Sequence, residues 1–155
     1  MNASFMLEGV LFATGVVLLA RLISGRTRRV AIALALAHGI GMVLVGLFHG
    51  SPGGRSADLV VHIVAAAVGI LCANILAIMA GSVRSLALPA AYLAFSIAVG
   101  VVGILSEALV SVSVSAAGLF ERGGVYSWLL WGFVTGALVL VRQMRRVAVV
   151  ETVPA

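Results

Sequence analysis

LVVHIVAAAVGILCANILAIMA, residues Leu59 to Ala80, runs without a formal charge between two polar flanks, Ser56-Ala57-Asp58 and Gly81-Ser82-Val83-Arg84. A helix rises 1.5 Å per residue, so about 20 apolar residues cross the ~30 Å of bilayer hydrocarbon. This stretch is long enough to span, and too long and too uniformly apolar for a half-buried strand. Four further segments read the same way, giving helices over 5–23, 30–48, 59–80, 86–106 and 125–141. An open five-stranded sheet would leave unpaired backbone groups at its edges, which hydrocarbon does not tolerate. The expectation is therefore an all-α integral membrane bundle of five transmembrane helices. One domain covers residues 1–146, followed by a tail at 147–155.

Composition leads to the same class. Of 155 residues, 63% are apolar and 10% charged, with mean hydropathy +1.24. Soluble domains carry about a quarter charged residues, and a single core of this size cannot hide so much apolar surface. The net charge of +5 and pI near 11.1 do not point to nucleic acid. All ten basic residues are arginine, most of them in short runs between apolar segments, which is the pattern of topology signals. The lone cysteine, Cys72, lies inside a span and reads as a small packing residue. No basic residue precedes the first apolar run, so that run reads as a retained helix and not as a signal peptide.

Arginine placement gives the orientation. Arg21, Arg26, Arg28, Arg29, Arg84, Arg142, Arg145 and Arg146 fall on one side, and Arg55 and Arg122 on the other. Eight against two in short loops places the N-terminus outside and the tail in the cytoplasm. Tyr126 and Trp128 then mark the outer interface of helix five. Stripes of small residues occur in helix three (Ala65, Gly69, Ala73, Ala77), helix four (Ala90, Ala94, Ala98) and helix five (Gly132, Gly136). They suit close backbone approach, within the chain or between subunits of a homo-oligomer or larger membrane complex.

On this topology Glu8, His49, Asp58, His62, Glu107, Glu121 and Arg122 collect toward the outer leaflet. They form a candidate ligand-binding set, although helix-end polar residues also suit plain solvation. Asp58 and His62, four apart on one helix face, could meet His49 across the loop and bind a divalent ion. An Asp–His pair equally orients a ring, so metal binding stays open. His38 and Asn74 lie deeper at similar counted depth and read as an interhelical polar pair, with a proton relay as the sharper alternative. No haem pair at matched depth, nucleophile elbow, zinc helix or phosphate loop is present, so no catalytic residue and no cofactor is expected.

Two stretches carry a resemblance. One is His38-Gly39-Ile40-Gly41-Met42-Val43-Leu44-Val45-Gly46-Leu47-Phe48, then a loop, Asp58 and His62. The other is Gly118-Leu119-Phe120-Glu121-Arg122, then Tyr126 and an apolar helix with Trp131. Together they resemble the prokaryotic membrane family called domain of unknown function 998, which is similar at a distance to the Frag1/DRAM/Sfk1 group. The resemblance implies a multispanning fold, here shortened from six helices to five. His49 stands where the family often has proline. It weights His62, Glu121 and Arg122 above their neighbours and implies no activity. The resulting expectation is a multi-pass protein of a prokaryotic plasma membrane, not an enzyme. It would bind a lipid headgroup, small ligand or membrane partner in an outward-facing pocket, with Arg122 on an anionic group, Glu121 or Glu107 orienting it and His62 lining the site. The rivals are a metal-dependent intramembrane lipid hydrolase and a transporter or channel subunit.

Overall fold

The computed structural model describes residues 2–48, 56–83, 88–112 and 114–151, and its regular structure is helical throughout. Helix α1 spans Asn2–Leu19 and ends in a 3-10 turn, Ala20–Leu22. Helix α2 spans Gly25–Leu47, α3 Ser56–Ser82 and α4 Ala90–Val110. A second 3-10 turn, Val114–Ala116, leads into α5, Ala117–Glu151. All five are long and apolar enough to cross a membrane.

The helix ends depart from the expected ones for identifiable reasons. α2 starts at Gly25, so Arg26, Arg28 and Arg29 lie in its first turns and not in a loop. The reversal is taken at Gly25, whose φ of +67° would cost a residue with a side chain about 1–2 kcal/mol. α4 starts at Ala90, later than expected, because proline disfavours helical backbone at the residue before it. The Pro89 carbonyl instead accepts the amides of Tyr92 (2.9 Å) and Leu93 (3.1 Å). The expected link from Glu107 to Gly124 is mostly helix, with Glu107 in α4 and Glu121 and Arg122 in α5. Gly123 and Gly124 bring helices together. A Cβ on Gly123 would lie 2.7 Å from Ser106 Oγ, and one on Gly124 3.1 Å from Glu107 Oε2. At its far end α5 continues to Glu151, through the start of the expected tail.

The helices pack in chain order, α1 on α2, α2 on α3, α3 on α4 and α4 on α5, with α5 also touching α3. α2 and α3 are the most enclosed and α1 the least. The stripe Ala65, Gly69, Ala73 and Ala77 is buried inside the bundle. The other two stripes are not used this way. Ala90, Ala94 and Ala98 face outward, and nothing lies within 4 Å of a Cβ built on Gly132 or Gly136. α4 buries Tyr92, Ser96, Gly100 and Gly103 instead. Its seam with α5 is polar: Trp131 Nε1 donates to Ser96 Oγ (3.2 Å), and Thr135 Oγ1 donates to the Trp131 carbonyl (2.6 Å). With that hydroxyl hydrogen committed, Tyr92 is the donor in its 2.8 Å bond to Thr135. Large apolar residues such as Leu11, Leu22, Ile40, Leu105 and Phe133 stand exposed on the outside, as lipid-facing positions do.

Candidate functional site

Two helices meet backbone to backbone near the middle of the bundle. A Cβ on Gly9 of α1 would lie 2.8 Å from the Gly39 carbonyl of α2, and one on Gly39 2.9 Å from the Gly9 carbonyl. This contact carries the preceding residue of each helix, Glu8 and His38, into reach of one another. His38, fully buried, has Nε2 3.2 Å from Glu8 Oε1 and Nδ1 2.9 Å from the Gly69 carbonyl of α3. Phe12 and Trp128 box the ring, with centroids at 4.3 and 4.7 Å. Trp128 is therefore a core residue, only 3% exposed, whereas Tyr126 beside it is 63% exposed. An interfacial position, expected for both, does not suit the enclosed Trp128, while Tyr126 faces outward.

Asn74 does not pair with His38. Its amide donates to the carbonyls of Ile70 (2.9 Å) and Gly124 (3.1 Å), tying α3 to α5. The amide fits only because Gly103 of α4 has no side chain, since a Cβ there would overlap it. Four side-chain atoms in this region are buried with no hydrogen-bond partner among the described residues: Glu8 Oε2, Asn74 Oδ1, Glu107 Oε2 and Trp128 Nε1. The interior around Gly69–Asn74 thus holds more polar capacity than it uses internally.

The other residues of the outward set find separate places. His62 donates from Nδ1 to the Phe48 carbonyl at 2.8 Å, which ties the start of α3 to the end of α2. Asp58 is half-buried, and Glu121 and Arg122 are exposed. No hydrogen bond or ion pair among the described residues joins these three to one another or to His62. His49 lies outside the described residues, as do Arg55 and Arg84. Among the described residues no three His, Cys, Asp or Glu side chains converge as metal ligands would. Of the described residues in the outward set, Glu8 alone is hydrogen-bonded to another side chain, and that partner is the deep histidine.

A cleft of about 440 Å³ lies at the opposite, arginine-rich end. Val16 and Leu19 of α1 form one wall, and Trp131, Thr135, Leu138 and Val139 of α5 the other. Leu76, Met79 and Ala80 of α3 make the floor, and Tyr92 of α4 closes a side. Thr27, Arg142 and Gln143 stand at its end, and the Tyr92 and Thr135 hydroxyls along it are bonded to each other. The volume is within the range of about 300–1,000 Å³ that ligand clefts occupy. It exists because α1 and α5 each pack on inner helices and leave a gap between them that Phe12 bridges, ring against Trp128 and Trp131, only deeper in the bundle.

Reading by sequence missed both the Glu8–His38 bond and the cleft. A signal for the first was present, since Glu8 stands fourteen residues before the end of the 3-10 turn at Leu22, close to the level of His38. With α2 begun at Gly25, His38 stands thirteen residues along it, and Gly69 stands thirteen before the end of α3 at Ser82, so the two are level. Beginning α2 at Val30 matched His38 to Asn74 instead. The cleft had no signal, because its lining is the ordinary apolar content of four helices.

No curated protein and no solved structure matches the chain. Residues 1–138 match the model of the family described as protein of unknown function DUF998. That span takes in Glu8, His38, Asn74, Glu107, Trp128 and the cleft as far as Leu138, and the five-helix membrane-type protein belongs to the DUF998 family.

Proposed function

We propose that the protein binds an amphiphile with an anionic headgroup in the lateral cleft between α1 and α5, without catalysing its turnover. The observation that carries this reading is the distribution of chemistry along the cleft. Its walls are apolar and aromatic apart from Thr135, whose hydroxyl is bonded to Tyr92, and Arg142, Gln143 and Thr27 stand at one end. Apolar walls suit a hydrocarbon chain, and a guanidinium suits a phosphate or carboxylate. By the arginine count this end faces the cytoplasm, so the occupant enters from the inner leaflet of a prokaryotic plasma membrane. The binding expected at the outer end moves to the inner one. A distant kinship to the Frag1/DRAM/Sfk1 group belongs to the same proposal.

The test is lipid retention by detergent-purified protein, read by native mass spectrometry. Wild-type protein is expected to retain phospholipid, with anionic species favoured over zwitterionic ones. Ala80→Trp and Leu138→Trp, each filling the cleft, lower retention at least tenfold while helicity is kept. Arg142→Ala keeps the lipid but removes the preference for anionic headgroups. Equal retention by wild type and both tryptophan variants would rule the cleft out.

A further inference from the structure

The hydrogens around His38 can be counted. The Gly69 carbonyl only accepts, so Nδ1 carries a hydrogen. Nε2 then faces Glu8 Oε1 at 3.2 Å in one of two ways. A neutral ring accepts from a carboxylic acid, or a charged ring donates to a carboxylate. Both descriptions contain one proton between the two groups. Without it, the one remaining ring hydrogen serves only one nitrogen, and at the other a lone pair faces an oxygen, either Glu8 Oε1 or the Gly69 carbonyl. With a second proton, a charged ring faces a neutral acid and the charge-assisted bond is lost. Glu8 Oε2 is buried, and no side-chain or backbone group among the described residues hydrogen-bonds it, so within the protein the carboxyl has His38 as its partner.

We propose that Glu8 and His38 together form a proton-binding site, and that the bound proton holds α1 on the bundle. α1 is the least enclosed helix and packs along α2. Across the bundle the Phe12 ring meets Trp128 and Trp131 of α5, which are apolar contacts, and Glu8 supplies a polar one to His38 of α2. The groups facing the pair carry no charge of their own: the Gly69 carbonyl from α3, the Trp128 indole from α5, and Phe12 from α1. Glu107 of α4 lies against Gly124, one turn of α5 before Trp128, and makes no hydrogen bond to the pair. The site is independent of the cleft, although α1 forms one of the cleft's walls.

Glu8→Gln separates a proton site from a plain structural bond. A glutamine amide donates to neutral Nε2 whether or not the solution supplies a proton. Thermal unfolding of the full chain in detergent is to be followed across pH, with the ring nitrogens labelled with 15N. In wild type the midpoint is expected to fall by at least about 2–4 °C toward alkaline pH, the shift that one hydrogen bond makes in a domain of this size. The fall should coincide with the His38 ring signal reporting loss of the shared proton. In Glu8→Gln the same pH range leaves that component flat, while His49 and His62 contribute equally to both proteins. The double variant Glu8→Leu with His38→Leu assigns the ring signal and keeps a folded reference if the single variant does not fold. Identical pH profiles in wild type and the variant that folds, or a His38 signal unchanged across the alkaline fall, would overturn the proposal.

Discussion

Gly103 owes its importance to a neighbour. The Asn74 amide occupies the space where a Cβ would stand, and from there it binds the Ile70 and Gly124 carbonyls. Gly103→Ala is expected to destabilise the protein by about 1–3 kcal/mol, the cost of overpacking a filled interior. The same change made in Asn74→Ala should cost less, because the obstructing amide is gone. A double-mutant cycle on chemical denaturation midpoints reads the difference, and additive effects would count against this account. Sequence reasoning recognised that His38 and Asn74 need buried partners, because polar groups at that depth do. It did not find those partners. Two of them, at Gly69 and Gly124, are backbone carbonyls, which leave no mark in a sequence beyond the absence of a side chain.

Between elements, the seam of α4 and α5 shows how helices are held where lipid supplies no hydrophobic drive. Ser96 accepts from the Trp131 indole, and Tyr92 donates to Thr135, so two turns of contact are tied by side-chain bonds. Ser96→Ala leaves a buried indole N–H unsatisfied and is expected to cost about 1–3 kcal/mol. Ser96→Thr, which keeps the hydroxyl, should cost less if the seam admits its methyl group. Denaturation of the two variants side by side measures the hydrogen bond against the added volume. The small-residue stripes were legible as patterns, yet only that of α3 faces inward. Spacing shows that a face is smooth. Which neighbour it meets depends on bulkier residues around it, here Tyr92 and Ser96 turning α4 away from its alanines.

At the scale of the molecule, five spans were readable because apolar runs of this length have few other solutions. The short connections and up-and-down packing follow from them. The cleft was not readable, since it depends on where the first and last helices stop approaching each other. Orientation rests on the arginine count and makes a direct prediction. In a Cys72→Ala background, Ala3→Cys is labelled by a membrane-impermeant maleimide in intact cells, and Ala148→Cys only after lysis. The reverse pattern would place the cleft in the outer leaflet. α5 adds a mechanical consequence to this arrangement. Its 35 residues make a rod of about 52 Å, well beyond the ~30 Å of hydrocarbon, with no proline along it. From Glu151 to Thr135 it is one continuous helix, so a push or twist applied at the protruding end reaches the cleft wall as lever motion, with no joint between to absorb it.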